Sequence, residues 1–243
     1  MSKTVLITGA SRGIGAAIAE AFAREGYQLS LCCKESKDQL MELANRLYAD
    51  YQAQVLTHVG DVGDVDFVKQ MIRDTKDQYG SIDVVINNAG IAHIGLLSDM
   101  TDEEWNRMLA TDLSSVFYIC RAVIPSMVKV QSGRIINISS VWGNVGASCE
   151  VAYSACKGAI NAMTKALGKE LAPSHIQVNA IACGAIDTDM NACFSREDLD
   201  ALCEEIPAGR MGRPEEVAAL ALQIASGSEY LNGQVITLDG GWQ

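Results

Sequence analysis

Basic residues are scarce in this sequence: 19 Lys and Arg stand against 30 Asp and Glu, a net charge of −11 at pH 7. Nucleic acid binding depends on Lys and Arg that neutralise phosphates, so we expect no nucleic acid partner. No apolar run approaches the roughly 20 residues of a membrane span, and we expect no membrane partner. The start of the chain lacks the apolar region of a signal peptide, which makes the cytoplasm the expected location.

Clusters of cysteine and histidine are absent as well: the 8 cysteines form no C-x-x-C pair, and the 3 histidines stand far apart. This spacing excludes the common zinc-site patterns, so we expect no metal ion. Isolated cysteines usually behave as small buried hydrophobic residues, and we expect free thiols in a reducing compartment. The chain has only 4 prolines and no linker, repeat or low-complexity tract, which predicts a single domain over residues 1–243.

Short β-branched runs alternate with longer amphipathic segments, a pattern typical of βα units around a parallel sheet. Strands are predicted at residues 4–8, 28–33, 54–59, 82–86, 134–139, 177–182 and 234–238. Helices are predicted at residues 13–25, 36–50, 65–79, 102–129, 153–172 and 214–225. The expected fold class is α/β, a three-layer sandwich with a seven-stranded parallel sheet and helices on both faces.

Residues 185–212, after the sixth predicted strand, are the least regular segment of the sequence. Ligands of open α/β sheets bind at the carboxyl ends of the strands. Loops at that edge often carry function, so this segment is a candidate lid over a substrate.

A glycine-rich turn connects the first predicted strand to the first predicted helix, with Gly9, Gly13 and Gly15 at its bends. A dinucleotide diphosphate can approach bare backbone N–H groups and the positive end of a helix at such a place. Ordinary turns use glycine too. The strand before and the helix after favour a dinucleotide site.

Tyr153 and Lys157 are spaced by one helical turn, so both project from the same helix face. Reduction of a ketone needs a proton donor beside the carbonyl oxygen. A nearby ammonium favours the phenolate and thereby makes a tyrosine a better acid. The same spacing also occurs on ordinary helix surfaces.

Five motifs in chain order resemble those of the short-chain dehydrogenase/reductase family. They are the spacing of Gly9, Gly13 and Gly15, the Asn-Asn-Ala-Gly of residues 87–90, the pair Tyr153 and Lys157, and residues 184–188 and 233–241. The resemblance covers nearly the whole chain and is greatest to bacterial 3-oxoacyl-[acyl-carrier-protein] reductases. It implies a Rossmann-type fold, a nicotinamide cofactor and oxidoreductase chemistry on ketones. It also implies a homotetramer, built on the long helices and the last strand.

The resemblance implies roles for particular residues. Tyr153 would be the acid/base, Lys157 would lower the tyrosine pKa and hold the nicotinamide ribose, and Ser140 would hydrogen-bond the carbonyl oxygen. Ser139 is adjacent, but alternation along a strand points only one of the two serines toward the cofactor, and we expect Ser140. The implied cofactor contacts are Tyr153, Lys157, Gly9, Ser11, Arg12, Gly13, Ile14, Gly15, Lys34, Asp61, Val62, Asn88, Ala89, Gly90, Ile186 and Thr188.

The end of the second strand indicates which dinucleotide is bound. Cys33 stands where relatives that prefer NAD have an Asp that accepts from the ribose 2′-OH. Lys34 and Arg12 can converge on a 2′-phosphate, and we expect NADP(H) rather than NAD(H). Glu35 argues against NADP(H), since its carboxylate could turn toward the 2′-phosphate position. Lys34 and Arg12 could also be ordinary solvated surface charges.

Two positions depart from the family pattern. Asp112 stands where the family usually has an Asn that helps to order water near the active-site lysine. We include Asp112 among the candidate catalytic residues, with an ordinary solvated helix position as the alternative. Cys183 replaces a Pro, and we expect this change to loosen the backbone that enters the lid.

The sequence leaves two classes of ketone substrate open. The family likeness favours a carrier-bound 3-oxoacyl thioester, but Gln131 and the Ser174–His175 pair replace arginines that would dock an acidic carrier, while Lys129 and Arg134 remain.

The segment from Trp142 to Glu150 instead resembles reductases of a 5-aminopentanone group on elongation factor P, where a carboxylate would suit an amine. Glu150 could equally cap the following helix. A remote alternative is a non-catalytic NADP(H) sensor.

Overall fold

Seven parallel strands form one sheet in the computed structural model, which describes residues 2–191 and 194–243. The strand order is β3-β2-β1-β4-β5-β6-β7, and every neighbouring pair is parallel. The strands are β1 Thr4–Thr8, β2 Gln28–Cys33, β3 Val55–Val59, β4 Val84–Asn87, β5 Gly133–Ser140, β6 Ile176–Cys183 and β7 Val235–Leu238. The predicted α/β class with a seven-stranded parallel sheet is therefore confirmed.

Helices cover both faces of this sheet. The α-helices are α1 Gly13–Arg24, α2 Lys37–Tyr51, α3 Val65–Tyr79, α4 Asp102–Leu109, α5 Ser115–Val130, α6 Trp142–Val145, α7 Val151–Leu171, α8 Arg196–Glu205 and α9 Pro214–Ser226. One core lies between the sheet and α1, α2 and α9, and a second lies between the sheet and α3, α5 and α7.

The strand sequences explain this layered arrangement. Successive side chains of a strand point to opposite faces, so Val5 and Ile7 enter the first core while Leu6 enters the second. All five residues of β1 and all eight of β6 are buried, as expected for strands covered on both faces. Most of these buried residues are apolar, and β6 also buries the polar side chains of Gln177 and Asn179.

The path of the chain changes direction between β1 and β4. β1 is paired with β2 on one side and with β4 on the other, so the crossovers run outward from this point in both directions. Open α/β sheets bind ligands at the carboxyl ends of the strands beside such a switch point. The glycine turn and residues 87–90 lie at these two carboxyl ends.

Three details differ from the sequence-based expectations. The helix predicted at residues 102–129 widens into a π-helical turn at Ala110–Ser114. Residues 185–212 are not irregular throughout, because α8 lies within them and begins with a capping box between Ser195 and Asp198. The short helix α6 was not predicted.

The continuous helical segment Asp102–Val130 is long and apolar enough to cross a membrane by length and composition alone. Val116, Ile119 and Val123 on this segment are buried in the second core. Core helices of globular proteins share these properties. We therefore interpret it as a helix packed on the sheet.

Candidate active site

A cleft of about 1420 Å³ runs along the carboxyl edge of the sheet. Pockets for one drug-sized ligand hold about 300–1,000 Å³, so this cleft has room for a dinucleotide beside a second molecule. Gly15 and Asp112 are the two predicted site residues that lie behind its surface. Those that line it are Gly9, Ser11, Arg12, Gly13, Ile14, Lys34, Asp61, Val62, Asn88, Ala89, Gly90, Ser140, Trp142, Glu150, Tyr153, Lys157, Ile186 and Thr188.

The glycine turn has the backbone that a diphosphate site requires. Gly9 and Gly13 have φ values of +64° and +55°, in the left-handed region that favours glycine. The Asn88 amide donates to the carbonyls of Thr8 and Gly9 at 2.9 and 3.0 Å, which ties β4 to the turn. A side chain at Gly15 would overlap the Gly9 carbonyl. Gly15 therefore acts by close packing beneath the turn.

The start of α1 favours an anion. This helix begins at Gly13 and has no acidic residue in its first turn. The free N–H groups and the positive end of a helix attract negative charge. Together with the open glycine backbone, they fit the diphosphate of a dinucleotide.

The two predicted ligands of a 2′-phosphate, Lys34 and Arg12, pair with carboxylates of different segments. The Lys34 ammonium is 2.6 Å from a carboxylate oxygen of Asp61, and Arg12 is 3.5 Å from Asp189. Burial tends to raise the pKa of Asp61, but the hydrogen bond from Lys34 brings it below its usual value. These side chains are substantially exposed, so their ion pairs stabilise the fold little.

The two serines at the end of β5 face in different directions. Ser139 donates to the Asn161 side chain at 2.6 Å and therefore faces α7. Ser140 lies on the cleft, where its hydroxyl oxygen accepts from the Trp142 backbone N–H at 3.2 Å and its side chain hydrogen-bonds Tyr153. Because the bond to Tyr153 acts to lower the pKa of that phenol, the Ser140 O–H is the donor and the phenol oxygen the acceptor.

Lys157 is held in an almost sealed position. Its ammonium donates to the Ile138 carbonyl at 3.2 Å, lies 3.5 Å from an Asp112 carboxylate oxygen and is 5.3 Å from the centre of the Tyr153 ring. The side chains of Lys157 and Asp112 are 6% and 0% exposed. The other Asp112 oxygen accepts from the Ile91 N–H at 2.9 Å. Asp112 is thus a buried counter-ion, not a solvated helix residue.

The charges of this cluster act on one another. Burial raises the pKa of Asp112, although Lys157 opposes the rise. Burial lowers the pKa of Lys157, but the charges of Tyr153 and Asp112 outweigh it and the net pKa is raised. Burial raises the pKa of Tyr153; the Lys157 charge acts in the predicted downward direction, while Asp112 acts upward. Tyr153 is therefore a neutral phenol at pH 7, as a proton donor must be.

Glu150 lies where it could have capped α7, but its side chain makes no capping hydrogen bond. It lines the cleft instead, half-buried. Burial raises the pKa of Glu150, and a hydrogen bond from the Trp142 side chain opposes this rise. The capping alternative therefore loses its main support, because the carboxylate faces the cleft.

The candidate lid, residues 185–212, follows a strand that is regular to its end. Cys183 remains within β6, its carbonyl accepts from the Val141 N–H at 2.9 Å, and the predicted loosening of the backbone is not seen. Burial raises the pKa of the Cys183 thiol to about 12. Further along, the Asn191 amide donates to the Ile186 carbonyl at 2.7 Å and Thr188 lies beside it.

Trp242 lines the cleft and was not among the predicted site residues. Its ring packs against Trp142 with ring centres 4.9 Å apart. An aromatic residue after the glycines that follow the last strand was the available signal in the sequence.

Metal-ion ligands are not clustered in residues 2–191 and 194–243: no group of three or more His, Cys, Asp or Glu side chains is placed to hold one. The seven cysteines of those residues are free thiols: five are buried, and Cys149 and Cys203 are half-buried. Cys193, the eighth, lies outside the described residues.

Replacing Asp112 by Asn tests the charge of the buried pair. Asn can still accept from Ile91, but it removes the negative charge that raises the pKa of Tyr153. Ketone reduction needs the protonated phenol and is lost as pH rises through that pKa, so the alkaline limb of the kcat/KM profile should move to lower pH. Asp102→Asn, an exposed change in the first turn of α4, is the control. An unmoved limb would show that the Asp112 charge does not reach Tyr153.

Comparison with known proteins identifies the family. The sequence model of the family described as "short chain dehydrogenase" matches residues 3–198. "Uncharacterized oxidoreductase YmfI" of Bacillus subtilis is 38% identical over 243 residues, covering 100% of this chain and 99% of the relative. The protein named 3-oxoacyl-[acyl-carrier-protein] reductase FabG is 40% identical over 242 residues in Chlamydia trachomatis (99% of this chain, 97% of the relative) and in Thermotoga maritima (98% and 97%).

These matches extend over the same residues that build the cleft, from the glycine turn to the lid. The chain therefore belongs to the short-chain dehydrogenase/reductase family and is an oxidoreductase of alcohol and carbonyl groups that works with a nicotinamide cofactor.

Proposed function

We propose that this protein reduces a ketone to a secondary alcohol with NADPH. The observation that supports this most strongly is the convergence of Ser140, Tyr153 and Lys157 on one cleft with the glycine turn. The nicotinamide, when bound, supplies the hydride to the carbonyl carbon. Ser140 and Tyr153 offer two hydroxyl donors to the carbonyl oxygen, and Tyr153 transfers its proton as the alkoxide forms.

Lys157 has a supporting role in this proposal. Its ammonium stabilises the tyrosinate left after proton transfer, because an opposite charge close by favours the ionised form. Its hydrogen bond to the Ile138 carbonyl and its ion pair with Asp112 hold the ammonium beside Tyr153. We assign Asp112 as a positioning residue, because it touches Lys157 and does not line the cleft.

The proposed cofactor contacts follow the cleft from end to end. Gly9, Ser11, Gly13 and Ile14 would hold the diphosphate, with Gly15 packed beneath them. Residues 88–90 would contact the central part of the dinucleotide. Asp61 and Val62 would hold adenine, and Ile186 and Thr188 the carboxamide of the nicotinamide.

The preference for NADP(H) over NAD(H) is supported by the charges at the end of β2. Cys33 supplies no carboxylate there for a ribose 2′-OH. Lys34 directly follows β2, Arg12 lies in the glycine turn, and both line the cleft, where they would offer cations to a 2′-phosphate. Glu35 lies there too, and its charge opposes this preference.

A carrier-bound 3-oxoacyl thioester is the first proposed substrate class, in line with the names of the relatives. An acidic carrier needs exposed basic residues for docking. Arg134, one of the two that remain, donates to the carbonyls of Gly227 and Ser228 at 3.1 and 3.5 Å. Docking would therefore rest mainly on Lys129, which weakens this substrate class.

A cationic aminoketone, such as a modified lysine of elongation factor P, is the second proposed class. It is favoured by Glu150, a half-buried carboxylate on the cleft that is not used as a helix cap. A buried carboxylate is stabilised by a cationic partner. An ammonium a few carbons from the ketone would supply one.

We also propose that the protein works as a homotetramer in the cytoplasm. An apolar groove of about 290 Å³ between α5 and α7 supports assembly, since Phe117 on its edge is 46% exposed. Exposed apolar patches on helices are typical of protein interfaces. The remaining lining residues of this groove include Ile124, Met163 and Leu167.

Replacing Tyr153 by Phe tests the catalytic proposal. The change removes the proton donor and leaves the ring, so kcat for NADPH oxidation with a methyl ketone should fall about 10²–10⁴-fold. NADPH binding, followed by its fluorescence, should persist. If the wild type oxidised NADPH with no member of a ketone panel yet still bound it, the non-catalytic sensor would be the better interpretation.

Replacing Lys34 by Ala tests the cofactor preference. Loss of a charged partner for the 2′-phosphate should raise KM for NADPH about tenfold and change KM for NADH less than about twofold. Lys37→Ala, an exposed lysine outside the cleft, is the matched control. An equal rise for both cofactors, or a wild type that prefers NADH, would contradict the preference.

Replacing Glu150 by Gln separates the two substrate classes. Removing the charge should raise KM about tenfold for a ketone that carries an ammonium and leave a neutral ketone of the same shape nearly unaffected. Glu103→Gln, which changes an exposed carboxylate on α4, is the control. Equal effects on both ketones would remove the support for a cationic substrate.

A further inference from the structure

The last residues of the chain form a turn that is fixed at several points. The Asp239 carboxylate accepts from the backbone N–H groups of Gly241 and Gln243 at 2.9 and 2.8 Å. The Gly240 carbonyl accepts from the Ala208 N–H at 3.1 Å, which joins the turn to the end of the lid. Residues 239–243 are thus folded on one carboxylate and tied to the lid.

The turn is also packed tightly against the sheet. A side chain at Gly184, just after β6, would lie 2.7 Å from the Asp239 Cβ. The Gly184 N–H donates to the Leu238 carbonyl at 2.9 Å. Glycine at position 184 therefore permits the turn to pack closely against the end of β6.

Trp242 projects from this turn to the cleft and meets Trp142. The two rings pack edge to face, with centres 4.9 Å apart and planes inclined by 63°. Edge-to-face packing of this kind stabilises the ring pair beyond the apolar area that it buries. Trp142 also contacts two other residues of the cleft. Its backbone N–H donates to the Ser140 hydroxyl oxygen, and its side chain hydrogen-bonds the Glu150 carboxylate.

We propose that Trp242 and Asp239 are positioning residues for substrate specificity: the C-terminal turn folded by Asp239 holds Trp242 against Trp142, and the supported Trp142 holds Glu150 toward the cleft as an ammonium subsite. This inference rests on the proposed function, since it concerns which ketone enters the same cleft. Indole rings attract ammonium groups through their electron-rich faces, so the Trp pair and the carboxylate suit one chemical class of ligand.

The proposed subsite should distinguish a charged ketone from a neutral ketone of the same shape. A neutral ketone gains only apolar contact from the two indole rings. A ketone with an ammonium gains the carboxylate and the ring faces as well. Loss of Trp242 should therefore affect the charged ketone more than the neutral one.

The test uses a matched pair of substrates: a methyl ketone that ends in a dimethylammonium group and its isostere that ends in an isopropyl group. We expect Trp242→Ala to raise KM for the charged ketone about tenfold and KM for the isostere at most about threefold, with kcat of both nearly retained. Trp242→Phe keeps an aromatic edge and should recover most of the loss. Tyr230→Ala, at a side chain that is 99% exposed, is the control.

A binding measurement accompanies the kinetics. Calorimetry with the dimethylammonium alcohol, the product of the charged ketone, should show weaker binding to Trp242→Ala and to Asp239→Asn than to the wild type. Circular dichroism identifies a variant that fails to fold. If Trp242→Ala does so, Trp242→Leu, which keeps apolar bulk but has no aromatic face, decides through its ratio of KM values for the two ketones.

Two outcomes would overturn the inference: equal changes in KM for both ketones, or no change for either. A wild type that reduces neither ketone would count against the proposed function instead. Calorimetry would then still test the subsite, because equal affinity of wild type and Trp242→Ala for the dimethylammonium alcohol contradicts it.

Discussion

The ammonium of Lys157 lies almost out of contact with water, and the arrangement of the active-site elements depends on how that charge is compensated. An unpaired buried charge costs several kcal/mol, so it requires a partner of opposite sign and further hydrogen bonds. Asp112 supplies the charge and the Ile138 carbonyl accepts a bond. These contacts bring together a helix, a π-helical turn and a strand end. Tyr153 lies one helical turn before Lys157 on α7, with the centre of its ring 5.3 Å from the ammonium.

Asp112 also connects this charge to the loop after β4. Its second oxygen accepts from Ile91, and a side chain at Gly90 would lie 2.9 Å from the carboxylate. The glycine of that loop therefore permits the close approach of the counter-ion. The loop also carries Asn88, which bonds to the glycine turn. The phosphate end and the chemical end of the cleft are thus joined through one short loop.

The sequence alone predicts the sheet well because buried parallel strands are continuous apolar runs of limited length. The predicted limits of β1, β2 and α3 agree with the structure to the residue. The π-helical turn at Ala110–Ser114 could not be predicted, since the apolar pattern continues through it. Helix α8 was missed although its Ser195–Asp198 capping box was present, because the helix is short and mostly polar.

The site was predictable to the extent that its residues lie close together in sequence. Tyr153 and Lys157 share a helix face, and the glycine turn follows a strand directly. Contacts between distant segments had no local signal: Lys34 with Asp61, Lys157 with Asp112, and Trp142 with Trp242 are brought together by the tertiary fold. Both serines of β5 line the cleft, but their hydroxyl groups have different partners, as alternation along a strand predicts: Ser139 donates to Asn161 of α7, and Ser140 accepts from Trp142.

The most direct measurement of the central claim is a crystal structure of the unreactive complex with NADP⁺ and a methyl ketone. The account predicts a ketone oxygen within hydrogen-bond distance of both the Ser140 and Tyr153 hydroxyl groups, with Lys157 still paired with Asp112. A ketone oxygen bonded to neither hydroxyl, or a Lys157 ammonium turned away from Asp112, would contradict it.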